Sequence, residues 1–225
     1  MDTIRKRGVL TGILFLTAMV SSLAGGGLIE SVLSRTDYLN NIASNTALIH
    51  SGIILELINA AAVIGIAVTV FPVIKRYGES LSLGYVGFRM IESILCILSA
   101  FIPLLLLSLS SAAGSLTGND FYRDFGNILL SVRLYLAEIF IPVFFSLGAF
   151  LFYYSLFILK FIPRYISVWG FIGAVLILAK IFIDSGIVLT MILVLPIITN
   201  EIFLGIWLIV KGFNIASSDF KNQQD

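Results

Sequence analysis

A long apolar run at residues 47–73, ALIHSGIILELINAAAVIGIAVTVFPV, contains one charged residue, Glu56. A helix that crosses a ~30 Å hydrocarbon core needs roughly 20 apolar residues in succession, and this run is longer. Transmembrane β-strands take only about 10 residues and alternate between apolar and polar positions. The run therefore predicts a transmembrane α-helix, in which the backbone N–H and C=O groups satisfy one another.

The rest of the chain repeats this pattern. Five further apolar runs are separated by short polar stretches, and they occupy residues 9–29, 81–109, 127–159, 166–183 and 187–210. Together the six runs predict an all-α, polytopic membrane protein with a single six-helix domain, residues 1–213, and a polar tail, residues 214–225. The two longest polar stretches, residues 34–45 and 110–126, are expected to be loops.

Composition excludes several classes of protein. Of the 225 residues, 59% are apolar and only 12% are charged, with a mean hydropathy of +1.05, whereas soluble domains carry about 25% charged residues. A net charge of +1 is too small to indicate a surface that binds nucleic acid. The high apolar content indicates that the lipid bilayer surrounds the protein. One cysteine, Cys96, and one histidine, His50, supply no ligand set for zinc or haem, and we expect no metal or other cofactor.

Lysine and arginine set the expected orientation. Nine of the 14 basic residues flank the runs on one side, two lie on the other side, and three lie within runs. Basic residues concentrate on the cytoplasmic side, which predicts a multi-pass protein of the cytoplasmic membrane with both termini inside. The basic start before the first run is also compatible with a signal peptide.

Six charged residues lie deep within the predicted helices. Each costs at least ~2.5–3.5 kcal/mol to insert, so each is expected to be paired or functional; they are Glu56, Arg89, Glu92, Arg133, Glu138 and Glu201. Arg89 and Glu92 are three residues apart and share a helix face. Arg133 and Glu138 are five apart, about 140° around the helix, and must find partners on other helices.

These four acids and two bases leave an excess of carboxyl groups. Burial disfavours the charged form of an uncompensated carboxyl. Glu201 has no base one turn away on its own helix, and Pro196 precedes it. We therefore expect Glu201 to be protonated near neutral pH, with Glu138 the next candidate. The six residues are the predicted sites for a ligand or a proton, and no catalytic residue is assigned.

Three functional hypotheses are compatible with this pattern. The first is a non-enzymatic membrane protein whose Glu/Arg centre binds a small or lipophilic ligand, or relays a proton or an ion. The second is an accessory protein that packs against an unidentified protein partner, with the charged pairs serving only to hold the bundle together. The third is an intramembrane lipid-modifying enzyme with a glutamate as general acid or base, which the lack of a recognisable nucleophile–base pair disfavours.

Three stretches of the sequence carry a family resemblance. They are residues 71–76 with 88–92, residues 162–174, and residues 195–213, the last being the most specific. Through them nearly the whole chain resembles the bacterial membrane-protein family designated domain of unknown function 4386. The resemblance implies a six-helix integral membrane protein and brings no activity, so Arg89, Glu92 and Glu201 remain candidates.

Overall fold

The chain is built from α-helices. The computed structural model describes residues 3–35, 37–113, 120–183 and 186–213, and these ranges contain no β-strand. The α-helices are α1 (Thr3–Leu33), α2 (Tyr38–Ile42), α3 (Thr46–Ile74), α4 (Glu79–Ala113), α5 (Asp120–Tyr135), α6 (Ile141–Leu159), α7 (Arg164–Lys180) and α8 (Ile187–Lys211). The all-α prediction is confirmed, and the predicted polar tail lies outside the described residues.

The long helices have the length and composition of membrane spans. Within the described residues, five helical segments are long and apolar enough to cross a membrane: Ile4–Leu33, Tyr38–Ile74, Glu79–Ala112, Asp120–Leu159 and Val188–Lys211. The remaining predicted span corresponds to α7, whose 17 residues lie at the lower limit for a perpendicular crossing. The structure therefore describes a membrane protein, and the count of six spans stays a prediction.

Both predicted loops are partly helical. A short helix, α2, lies within residues 34–45, and α4 continues to Ala113 while α5 already begins at Asp120. The intervening residues 114–119 lie outside the described residues. The loop prediction was wrong for these helical residues. Polar residues begin where a helix leaves the hydrocarbon region, but the helical backbone continues beyond that point. Asp120 is an acidic residue in the first turn of α5, where it complements the helix dipole.

A π-helical turn joins α5 to α6. It spans Leu136–Phe140, and the backbone N–H of Ile141 donates to the carbonyl of Leu136, five residues earlier. Pro142 follows directly and has no N–H to donate to the carbonyl four residues before it, that of Glu138. The wider turn thus accommodates the proline within one continuous helical segment, at the position where Glu138 projects from the helix.

Six long helical elements form a closed ring, namely α1, α3, α4, the continuous α5–α6 segment, α7 and α8. Helix α1 packs beside α3 and α8, α3 packs beside α4, α4 beside α6, and α7 between α6 and α8. Chain connections are short, so neighbouring helices alternate in direction. Lys75, Lys160 and Lys211 therefore lie at one end of the ring, which we call the basic end.

Two hydrophobic cores fill the ring at different depths. The larger, toward the basic end, contains Phe15, Tyr85 and Phe152, whose rings stack with centroids 5.5–5.6 Å apart. The smaller, toward the opposite end, contains Ile29 and Leu106. Between them α1, α3 and α4 each carry a polar stretch, so a polar layer separates the two cores.

Glycines allow α1 and α8 to approach closely at the basic end. A Cβ atom at Gly12 would lie 2.5 Å from the carbonyl oxygen of Gly205 and 2.9 Å from the Cγ1 of Ile209. Small residues serve such close contacts in membrane bundles, where packing drives helix association. Gly27, on the same helix, would meet no atom within 4 Å.

We expect Gly12→Ala to destabilise the bundle by about 1–3 kcal/mol, because the added methyl group overpacks the α1–α8 contact. The measurement is the thermal unfolding midpoint in detergent. Gly27→Ala is the matched control and should leave the midpoint unchanged. Equal midpoints for both variants would contradict the close packing of these helices.

Candidate functional site

A cavity of about 840 Å³ lies in the polar layer of the ring. Its walls come from α1, α3, α4, the α5–α6 segment and α8. All six charged residues predicted from the sequence line it, namely Glu56, Arg89, Glu92, Arg133, Glu138 and Glu201. The packing of the helices thus brings together residues that are more than 140 positions apart in the chain.

Arg89 and Glu92 form a buried ion pair on one face of α4. The Nη1 atom of Arg89 lies 2.9 Å and 3.1 Å from the two carboxylate oxygens of Glu92, and the side chains are 3% and 6% exposed. The guanidinium also faces the rings of Tyr85 and Phe145, with centroids 5.7 Å and 5.2 Å away. The predicted i,i+3 pair is therefore present, and it is enclosed by aromatic rings.

Arg133 joins four helical elements. Its Nη2 atom lies 2.6 Å from a carboxylate oxygen of Glu56 on α3, and its Nη1 donates to the carbonyl of Ser99 on α4 at 2.6 Å. Its Nε lies 3.8 Å from the carboxylate of Glu30 on α1. As the five-residue spacing predicts, Arg133 does not pair with Glu138 but with other helices.

Glu138 is paired as well. Its partner is Lys180 at the end of α7, and the Glu138 side chain is about half exposed. The sequence named Glu138 as the second candidate for an unpaired carboxyl, and the structure shows that it has a partner. The reason is that α7 packs beside α6 and brings Lys180 to it.

Glu201 is the member of this set without a direct partner. No residue in the described ranges donates a hydrogen bond to its carboxylate or forms an ion pair with it. Arg89 and Glu92 are the charged groups whose fields act on it. Nearby, two buried donors, the hydroxyl of Tyr85 and the Nε of Arg89, also have no hydrogen-bond partner. Within the described residues, Glu201 thus lines the cavity as an acceptor without a partner, and Arg89 lines it with one unpartnered donor, while Tyr85 lies behind the lining.

The lining of the cavity includes exposed apolar side chains, which indicate an opening toward the lipid-facing surface. Residues on both sides of the opening are exposed apolar side chains, with Leu23 on α1 at 59% and Leu134 on α5 at 58%. The stacked rings of Phe15, Phe152 and Tyr85 block the way toward the basic end. The exposed apolar lining therefore favours access from the lipid-facing surface.

The residues that line the cavity can bind a ligand through hydrogen bonds and charge. Within the described residues no group of three or more His, Cys, Asp or Glu side chains is arranged to hold a metal ion. Cys96 is 8% exposed, and its thiol contacts the amide of Asn59 at 3.9 Å rather than a base. The cavity thus offers hydrogen bonds and charge without an activated nucleophile.

Sequence reasoning missed several polar residues of the site. Glu30 follows the first predicted run, residues 9–29, and was not named as a candidate, yet it lies against Arg133. Tyr153 donates a hydrogen bond of 2.7 Å to Asn200, whose amide donates to the carbonyl of Ile166 at 2.9 Å. A buried asparagine directly before Glu201 was the one available signal for this second network, which joins α6, α7 and α8.

We expect Arg89→Ala to lower the stability of the protein in detergent by about 3–5 kcal/mol, because the change leaves the buried Glu92 carboxylate uncompensated. Adding Glu92→Gln should restore part of the loss, as measured by thermal unfolding in a double-mutant cycle. Strictly additive losses would show that the two residues do not interact.

The matched control is the exposed pair Lys75–Glu79, with Nζ–Oε1 at 2.8 Å and side chains 49% and 65% exposed. Solvent screens such pairs, so Lys75→Ala should leave the unfolding midpoint nearly unchanged.

Comparison with known proteins identifies the chain at the level of its family. Neither a curated protein nor a solved structure matches it. The model of one family, described as a domain of unknown function, DUF4386, matches residues 10–212, which is most of the chain and includes all seven charged residues that line the cavity in the described part of the chain. The chain therefore belongs to the DUF4386 family.

Proposed function

We propose that this protein binds a lipophilic molecule in its polar cavity, and that Glu201 holds the polar end of that molecule. The ligand is an amphiphile whose head carries a positive charge or a hydrogen-bond donor. The observation that carries this proposal is that Glu92 and Glu201 line one cavity of about 840 Å³ in which Glu201 has no direct partner among the described residues.

The volume and lining of the cavity support a ligand of this kind. Small-molecule sites typically enclose about 300–1,000 Å³ and combine apolar walls with a few placed polar groups. Phe15, Phe145 and Ile198 supply apolar wall, and Glu201 supplies the polar group. An opening toward lipid favours a ligand that partitions into the bilayer.

The alternatives fit less well. A purely accessory protein would be expected to have a dry, fully paired core, whereas Glu201 is unpaired in the described part of the chain. A proton or ion relay needs carriers connected to Glu201, and no described hydrogen bond reaches its carboxylate. An enzyme acting on lipid would need an activated group, but the thiol of Cys96 contacts an amide.

We further propose that the chain crosses the cytoplasmic membrane six times, with both termini inside. Helix α7, at about 26 Å of length, is flanked by Arg164 and Lys180, whose long side chains can reach the interface. Its packing between α6 and α8 along the ring supports a sixth span. The excess of basic residues at one end supports the orientation.

Reporter fusions test this topology. A fusion after Gly118 should report the outer side, and fusions after Gly78 and after Phe213 should both report the cytoplasm. Activity of a periplasmic reporter against that of a cytoplasmic reporter gives the side. The same side for Gly118 and Phe213 would rule out the six-span arrangement.

Ligand binding can be followed by the protection that a ligand gives the folded protein against thermal unfolding. Dodecylamine should raise the thermal unfolding midpoint of the protein in detergent by filling the cavity, because a ligand that binds only the folded state protects it against unfolding. Glu201→Gln should remove most of this protection, because the ammonium group loses its carboxylate partner.

Two controls make the result specific. Glu79→Gln, at the exposed start of α4, should keep the protection, and dodecanol, with the same chain but no charge, should protect less. If dodecylamine does not raise the unfolding midpoint of the unmodified protein, the cavity does not admit this ligand. Equal protection in Glu201→Gln would show that Glu201 is not the binding group.

A further inference from the structure

A second cavity lies at the basic end of the ring, remote from the polar layer. Its volume is about 660 Å³. It is formed where the end of α6, the start of α7 and the end of α8 meet, and its lining includes Lys160, Arg164, Lys211, Trp207, Ile162 and Phe213. None of these residues belongs to the site proposed above.

The charge of this cavity is uncompensated. Lys160, Arg164 and Lys211 are exposed, and no acidic side chain is among the described lining residues. None of the three forms an ion pair within the described chain; Arg164 instead lies over the ring of Phe157, at 5.0 Å from its centroid. At the same end, Lys75 is neutralised by Glu79 at 2.8 Å. Three cations without an ion-pair partner among the described residues favour an anionic ligand.

The cavity is held in shape by the core beneath it. Lys160 ends α6 in the left-handed conformation, with φ 53°, and turns the chain toward α7. Ile162 and Phe213 are 2% and 5% exposed and pack into the larger hydrophobic core. The backbone that carries the three cationic side chains is therefore anchored to the hydrophobic core through Ile162 and Phe213.

An aromatic stripe leads away from the cavity along the outer surface of α7 and α8. Trp207 lines the cavity, Phe203 lies 6.2 Å from it, and Trp169 lies 6.0 Å from Phe203, measured between ring centroids. The stripe starts at the cations and extends to Phe203, eight residues before the end of α8, while Trp169 lies in the second turn of α7. This is the arrangement needed by a molecule with an anionic head and an apolar chain.

We propose that this cavity binds the phosphate of an anionic phospholipid, with an acyl chain lying along the stripe of Trp207, Phe203 and Trp169. Basic cavities between membrane helices are suited to such head groups. Free phosphate would meet the same cations, but it would leave the aromatic stripe without a partner, so the stripe favours the lipid.

Tryptophan quenching by brominated lipids tests the proposal in the full-length protein. Trp169→Phe leaves Trp207 as the single tryptophan, since the sequence has two. In phosphatidylcholine vesicles, brominated phosphatidylglycerol should quench Trp207 at a mole fraction at least about fivefold lower than brominated phosphatidylcholine does, a factor that one cation near the surface provides. Replacing Lys160, Arg164 and Lys211 together by Gln should abolish this preference.

Lys75→Gln is the matched control, because it removes a cation from the same end but outside the cavity, and it should keep the preference. Equal quenching by the two lipids, an unchanged preference in the triple variant, or an equal loss in Lys75→Gln would overturn the proposal. Displacement of the brominated phosphatidylglycerol by millimolar inorganic phosphate would assign the cavity to a free anion instead. Should the triple variant fail to fold, Lys211→Gln alone should weaken the preference about fivefold.

Discussion

Charged groups inside a membrane bundle must be compensated by neighbours, and the polar layer of this protein is arranged around that constraint. Arg133 is contacted by Glu56 from α3, by Ser99 from α4 and by Glu30 from α1. A single guanidinium therefore fixes three helices relative to α5. Because such pairs gain little net energy after desolvation, their main effect is on the relative placement of the helices. The cavity lies where this compensation is incomplete, at Glu201.

Much of the fold was predictable from the sequence, since hydropathy and length alone identify helices that cross a membrane. The Arg89–Glu92 pair was predictable too, because both residues lie on one helix with a fixed spacing. The partner of Glu138 was not, since Lys180 is 42 residues away and reaches it only through the packing of α7 on α6. Residues 120–126 were misassigned to a loop because their polarity marks the edge of the apolar region rather than the end of the helix.

The two binding surfaces proposed here differ in the physical origin of their selectivity. The polar cavity contains an excess of acid in surroundings of low dielectric, where an unpaired charge interacts strongly with a ligand. The cavity at the basic end lies among exposed side chains, where many weaker interactions with an anion add together. The stack of Phe15, Phe152 and Tyr85 lies between them, so the ligands of the two surfaces would reach the protein by separate routes.

The contact of Gly12 with Gly205 has a mechanical consequence. The backbones of α1 and α8 touch near the basic end, while the opening of the polar cavity lies beyond this contact, where Leu23 is exposed. About 30 Å of α1 extends past Gly12. The helix can therefore tilt relative to α8 about the glycine contact. A tilt of a few degrees about it would move α1 by about 1 Å at Leu23, which lies about 16 Å along the helix from Gly12, without separating the two helices at the contact.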